Sequence, residues 1–210
     1  MSYIVNIKET KMKIKSFLNK NKSMITWVLI LFAFRWSFAD HYRVPTESMY
    51  PTIKPGDHLF TNKMAYDFKL PFTDVVLVHN DGPKRGEVIV FLYPKDTSIN
   101  FVKRVVGLPG ETVRIVDHQI YINGTALDES YLTPEARASL TTEYDGEVVV
   151  PKDMYFVMGD NRGNSLDSRY WGFVPRSLIK GRALEVLYNV GLQGWIPVVD
   201  ITRFLLPLKG

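Results

Sequence analysis

Residues 23–39 (Ser-Met-Ile-Thr-Trp-Val-Leu-Ile-Leu-Phe-Ala-Phe-Arg-Trp-Ser-Phe-Ala) form a run of seventeen residues with one charge, directly behind a lysine-rich tail. That pairing constrains the 210-residue chain more than any other feature. A spanning helix needs roughly 17–25 apolar residues, so the run is short but sufficient. Apolar residues occupy every face from Trp27 to Phe34, which argues against a helix packed by one side on a soluble domain. Arg35 lies where its side chain can snorkel to the interface, and Trp36 suits the headgroup region. Two readings stay open. One is a retained single transmembrane helix. The other is a cleavable signal peptide, with the tail as basic region, 24–34 as apolar region and Ser37-Phe38-Ala39 as a small-x-small site. Arg35 and Trp36 interrupt the approach to that site and weigh against cleavage.

The tail also accounts for the charge. Residues 1–22 hold Lys8, Lys11, Lys13, Lys15, Lys20 and Lys22 against Glu9, a net +5, so the remainder of this +4 chain carries a net −1. The basic pI is therefore no footprint for nucleic acid. If the helix is retained, the tail lies in the cytoplasm and residues 40–210 lie outside. There is no cysteine, which excludes a disulfide framework, a thiolate zinc site and a cysteine nucleophile.

From Asp40 onward the pattern is mostly strand. Val88-Ile-Val-Phe-Leu-Tyr93 reads as a strand buried on both faces. Phe101-Val-Lys-Arg-Val-Val106 is a second β-branched run, stopped by Gly107-Leu-Pro-Gly110. Thr112-Val-Arg-Ile-Val116 and Gln119-Ile-Tyr-Ile122 read as a hairpin turning at Asp117-His118, with Asn123-Gly124 as a further turn. Val148-Val-Val150 and Met154-Tyr-Phe-Val-Met158 are further strands, and Pro134-Glu-Ala-Arg-Ala-Ser-Leu140 a short helix. The expectation is an all-β domain with a small inserted subdomain at about 111–152. The apolar stretches at 194–199 and 204–208 are expected in the core, with apolar surface resting on a bilayer as the alternative.

His41, His58, His79 and His118 show no metal-ligand spacing, and there is no P-loop or G-x-S-x-G elbow. Three stretches stand out instead. In Val44-Pro-Thr-Glu-Ser-Met-Tyr-Pro-Thr-Ile-Lys-Pro-Gly-Asp57, three Pro and a Gly impose an irregular backbone around Ser48. In the strand at 101–106, alternation places Lys103 on one face with Phe101 and Val105. A lysine buried there is held neutral and can take a serine proton without a histidine. Finally, eight of the eleven residues from Gly159 to Arg169 are polar or charged, yet the loop follows a buried strand and runs into Tyr170-Trp-Gly-Phe173.

Taken in order, these stretches resemble the boxes of the bacterial type I signal peptidases, membrane-bound Ser/Lys proteases. Ser48-Met-Tyr-Pro-Thr52 resembles the nucleophile box and Lys103-Arg-Val-Val-Gly-Leu-Pro-Gly-Glu111 the general-base box. Gly159-Asp-Asn-Arg-Gly-Asn-Ser-Leu-Asp-Ser-Arg-Tyr-Trp-Gly172 resembles the last box, and the N-terminal anchor also fits. The resemblance implies a fold of one transmembrane helix followed by an all-β catalytic domain. It implies Ser48 as nucleophile, Lys103 as base, and the Ser48 N–H with the Thr46 hydroxyl as oxyanion hole. Ser165 would bond the Lys103 amine, Asp167 and Arg169 would pair, Gly159 and Asn161 would support the site, and Arg104 would be structural. A signal peptide would bind extended between backbone edges near 44–46 and 100–103, with Val44, Pro45, Met49, Ile53, Phe101 and Val102 along shallow pockets suited to Ala-x-Ala. The implied setting is the bacterial cytoplasmic membrane, as a monomer acting on pre-proteins, with no cofactor, metal or nucleic acid. Gly163 stands where relatives carry an acidic residue, implying a looser loop.

Two other readings differ in class. A maturation peptidase for a pilus or conjugation subunit would share the dyad and differ only in substrate; a self-cleaving repressor is disfavoured because no DNA-binding helical domain precedes the dyad. A non-catalytic module binding extended peptides would have no need of a neutral lysine.

Overall fold

The computed structural model describes residues 2–70, 73, 75–140, 142–193 and 196–208. Two helices, α1 (Ser2–Lys20) and α2 (Lys22–Ser37), lead the chain. The bonds Asn21 N to Phe17 O (3.0 Å) and Ile25 N to Asn21 O (2.9 Å) carry the helical i to i−4 pattern across their junction. The tail is thus helical, a property its charge alone did not reveal. With 16 residues α2 rises about 24 Å, and among the described residues no helix is long and apolar enough to cross a membrane. Its apolar side chains stand in the open, Trp27 and Leu31 each 64% exposed. The roles expected of Arg35 and Trp36 concern side chains outside the described residues.

The strands follow. β1 (Ala39–Arg43) pairs antiparallel with β2 (Asp57–Asn62), whose alternation buries Asp57, Leu59 and Thr61. A small hairpin, β3 (Asp67–Lys69) and β4 (Val76–His79), precedes β5 (Val88–Tyr93) and β6 (Asp96–Gly107). Then come β7 (Thr112–Val116), β8 (Gln119–Ile122), β9 (Thr125–Ala126), the helix α3 (Pro134–Ala138) and β10 (Gly146–Val149). The chain returns through β11 (Met154–Met158), α4 (Ser168–Trp171), β12 (Val174–Pro175), β13 (Ile179–Gln193), β14 (Ile196–Asp200) and β15 (Leu206–Pro207).

Among the described residues the main sheet runs β1-β2-β13-β5-β6-β11-β12, with β14 and β15 also on β13, and residues 112–149 form a second sheet, β10-β7-β8-β9. β6 is exposed from Asp96 to Asn100 and buried on both faces from Lys103 to Gly107, where its β-branched run ends. Val105 faces Ile89, Phe91, Val157, Trp171 and Ile179, while Val106 faces Val113, Ile115, Ile120, Leu140, Val150 and Phe156. The second of these clusters joins the small sheet to the main one. Each fully buried Val or Ile contributes about 1.5–3 kcal/mol, so the small sheet is fastened by a core of its own.

β13 is the longest strand and the sequence reading passed over it. Its pairing slips between Ala183 and Glu185 and again between Val186 and Tyr188, so the buried positions 183, 186 and 189 lose the two-residue period. The C-terminal expectation is overturned. Val199, Ile201, Phe204 and Leu205 are 56%, 81%, 64% and 49% exposed, so these stretches form surface. Gly194 and Trp195 of the same expectation lie outside the described residues.

Candidate active site

Ser48 sits on a segment tied down at both ends. Val44 N donates to Asp57 O (2.8 Å) and Gly56 N to Val44 O (2.8 Å), closing the proline-rich stretch on itself. Gly56 has φ +87°, and a Cβ there would stand 2.7 Å from Val190 O, so the close approach requires glycine. Asp57 accepts from Lys54 N (2.8 Å) and Asn189 Nδ2 (2.7 Å) and pairs with Arg203, which also reaches Thr52 O (3.0 Å). Met49 and Ile53 are buried beneath with Val44, Leu59, Val88 and Val90, leaving the Ser48 side chain at the surface of that core. Ile53 is fully buried and does not line the cleft, contrary to its expected role in substrate binding.

Lys103 reaches Ser48 from β6. Its Nζ lies 2.7 Å from Ser48 Oγ and 3.0 Å from Val102 O, and the residue is 3% exposed. The ammonium also lies 5.1 Å from the centre of the Phe101 ring, on the face that strand alternation assigns to both. Burial lowers the Lys103 pKa from 10.5 to about 8, against the opposing pull of the Asp167 and Asp160 carboxylates. A substantial fraction of the amine is thus neutral near physiological pH. Thr46 Oγ1 stands 3.4 Å from Ser48 Oγ, on the exposed side.

The loop after β11 wraps this pair. Asn161 N donates to Ser48 O (3.2 Å) and Asn161 Nδ2 to Glu47 O (3.1 Å), so one residue holds the serine's backbone twice. Asp167 and Arg169 form a two-point ion pair, Nε to Oδ1 2.8 Å and Nη2 to Oδ2 2.8 Å, and Gly159 N donates to Asp167 Oδ2 (3.0 Å). A Cβ on Gly159 would lie 2.2 Å from both Ser48 O and Ser165 Oγ, so only glycine fits between them. Arg104 and Asp160, both fully buried, pair at 2.9 and 2.7 Å.

Two details depart from what the resemblance implies. Ser165 Oγ is buried without a hydrogen-bond partner, so its expected bond to Lys103 is not made; the amine is held by Ser48 and the Val102 carbonyl instead. Gly163 does not loosen its loop. Its N–H donates to Ser139 Oγ (3.0 Å), and a Cβ there would approach Ser139 O to 2.9 Å, so the missing side chain lets the loop close onto the end of α3.

A cleft opens over the pair. Val44, Pro45, Met49, Phe101 and Val102 line it as expected, together with Thr46, Ser48 and Lys103. Tyr42, Ile99, Asn164 and Leu166 line it too and escaped the sequence reading. Leu166, 50% exposed between buried Ser165 and Asp167, is a lone apolar residue in a polar loop, and that contrast was the available signal. One wall is strand edge. β11 pairs with β6 only from Arg104 to Gly107, and among the described residues no strand takes the same edge of β6 before Arg104.

The model of the signal peptidase family, peptidase S26, matches residues 17–188. The probable signal peptidase I-2 of a Synechocystis species is 38% identical over 90% of this chain and 83% of its own length. Signal peptidase I of Pseudomonas fluorescens is 35% identical over 79% of this chain and 70% of its own length. Signal peptidase I T of Bacillus subtilis is 38% identical over 86% of this chain and 90% of its own length. With four-fifths of its residues inside the family model and these relatives matched along most of their length, the chain belongs to the signal peptidase family, peptidase S26.

Proposed function

We propose that Ser48 and Lys103 are the nucleophile and general base with which this serine endopeptidase removes signal peptides from exported pre-proteins. The 2.7 Å contact between Lys103 Nζ and Ser48 Oγ, made by a buried lysine, carries the assignment. The neutral amine takes the Ser48 proton as Oγ attacks the scissile carbonyl carbon. The oxyanion accepts from the Ser48 N–H and the Thr46 hydroxyl, donors that commonly contribute about 10²–10³ in rate each. As the C–N bond breaks, the Lys103 ammonium gives its proton to the leaving amine. Water then attacks the acyl ester, Lys103 takes its proton, and Ser48 regains a hydrogen as the signal peptide leaves as a carboxylate.

The residues before the cut bind as an added strand along the free edge of β6 at 100–103, opposite 44–46. Val44, Pro45, Met49, Phe101 and Val102 form shallow walls there that favour Ala-x-Ala, while Gly159, Asn161, Ser165, Asp167 and Arg169 keep the loop in place. The apolar segment at 23–39 anchors the monomeric enzyme in the bacterial cytoplasmic membrane, with the lysine tail inside and the β domain outside. The open apolar side chains of α2 support that reading, since such a surface is otherwise left in water.

Ser48→Ala and Lys103→Ala are each expected to abolish cleavage of a pre-protein while the circular dichroism of the β domain is retained. Wild-type turnover in either variant overturns the assignment.

A further inference from the structure

The mechanism makes no use of Glu129, yet this carboxylate is 2% exposed and lies in the segment between the strand β9 and the helix α3. Its Oε1 stands 2.5 Å from Arg162 Nη1, both side chains sealed from solvent. Tyr131 completes a ring of contacts: its hydroxyl donates to Glu129 Oε1 (3.2 Å) and accepts from Arg162 Nη2 (3.3 Å). Burial pushes the Tyr131 phenol up to about 12, so it remains a donor. The Arg104 guanidinium lies 4.2 Å over the Tyr131 ring while holding Asp160. Arg162 in turn donates through Nε to Gly159 O (3.1 Å). Every polar partner on the loop side belongs to the stretch 159–162, whose next contact is Asn161 on the backbone of Glu47 and Ser48.

We infer that Glu129 and Tyr131 are positioning residues for catalysis: the inserted segment holds the loop at 159–162, and through Asn161 the loop holds Ser48 against Lys103. Tyr131 joins the two buried ion pairs, its hydroxyl on Glu129–Arg162 and its ring under the Arg104 of Asp160–Arg104, so the loop cannot drift from β6 without uncovering a charge. The Gly163 bond to Ser139 is a second tie between the same segment and the same loop. The small sheet and its connections thereby act on the reaction rather than decorate the fold. This inference rests on the reading of Ser48 and Lys103 as the dyad.

The test uses the full chain in detergent micelles with a pre-protein substrate, active sites counted by a serine-acylating inhibitor. Tyr131→Phe removes only the hydroxyl that ties Glu129 to Arg162 and keeps the ring under Arg104, so it is the variant expected to fold normally; Glu129→Gln and Ser139→Ala accompany it. Loosening the loop misplaces Ser48 and admits water to Lys103. The expected result for Tyr131→Phe is about a tenfold fall in kcat per titrated site with KM little changed. The acid limb of its rate profile should move to higher pH, because a better-hydrated lysine holds its proton longer. Glu129→Gln should show the same shift more strongly, and Glu129→Asp a partial return. Unchanged kcat per site, or a fall in kcat with an unmoved acid limb, overturns the inference, since the second outcome reports only a less stable fold. Ser48→Ala is run alongside: residual wild-type cleavage there condemns the dyad itself, whatever the Tyr131 variant does.

Discussion

At the level of single residues, burial and charge pull Lys103 in opposite directions. Desolvation favours the neutral amine, the Asp167 and Asp160 carboxylates favour the ammonium, and desolvation prevails, leaving a pKa of about 8. On the proposed mechanism the neutral form is the active one, so kcat/KM should rise about tenfold per pH unit up to that value and level off above it. A profile whose acid limb instead sits near the ordinary lysine value of 10.5 contradicts the observed burial. The same displacement bears on stability. Between pH 8 and 10.5 the unfolded chain binds the proton that the folded chain has lost, so stability climbs across that window and is lowest below it. Lys103→Met should therefore be inactive yet melt higher than wild type at pH 7, with the pH dependence of Tm in that window reduced. Equal melting temperatures across the window would show that the amine is solvated. Ser48 and Lys103 were readable because each is out of place for its surroundings, a serine among prolines and a lysine in a β-branched strand. Glu129 and Arg162 carried no such mark. A carboxylate and a guanidinium 33 positions apart look like ordinary surface charges until the fold closes them together.

At the level of elements, β6 does three things along its twelve residues. It pairs with β5 between Asp96 and Arg104, it pairs with β11 at its far end, and it leaves an edge open beside Ser48 and Lys103. A substrate bound there as a strand relies on its own amides. Methylating one amide nitrogen that faces β6 should cost about 0.5–1.5 kcal/mol, a fall in kcat/KM of up to about tenfold, with methylation on the outward amide nearly neutral. Equal losses at both positions would rule out strand addition. Element type was legible wherever period and punctuation agreed, as in the β7–β8 hairpin with Asp117 and His118 at positive φ in its turn. It was not legible in β13, where two bulges shift the phase of burial twice. The C-terminal stretches failed for another reason. A run of Val, Ile and Phe reads the same whether protein covers it or not, and here Ile201 and Phe204 are uncovered.

At the level of the whole molecule, the charge and the apolar surface are segregated. The tail lysines from Lys8 to Lys20 lie on α1, exposed apolar side chains line α2, and a second exposed apolar group, Val199, Ile201, Phe204 and Leu205, lies on the β domain. Removing residues 1–38 should leave cleavage of a soluble peptide within a few-fold of the full chain, because no described residue of that segment lines the cleft. Co-sedimentation with phospholipid vesicles should drop sharply in the same truncation. Loss of peptide cleavage in a folded truncation would place part of the site in the helices. The helices do not end in a flexible linker. β1 begins at Ala39, two residues beyond the end of α2, and is in register with β2 along its whole length, from Ala39 opposite Asn62 to Arg43 opposite His58. From there Val44 is tied to Asp57, and Ser48 follows four residues later. The eleven steps from Ser37 to Ser48 span at most about 40 Å even when fully extended. An enzyme held by α2 would therefore work as a ruler: it could cut only those bonds that lie within one fixed, short height of the bilayer, whatever else in the passing chain matched its pockets.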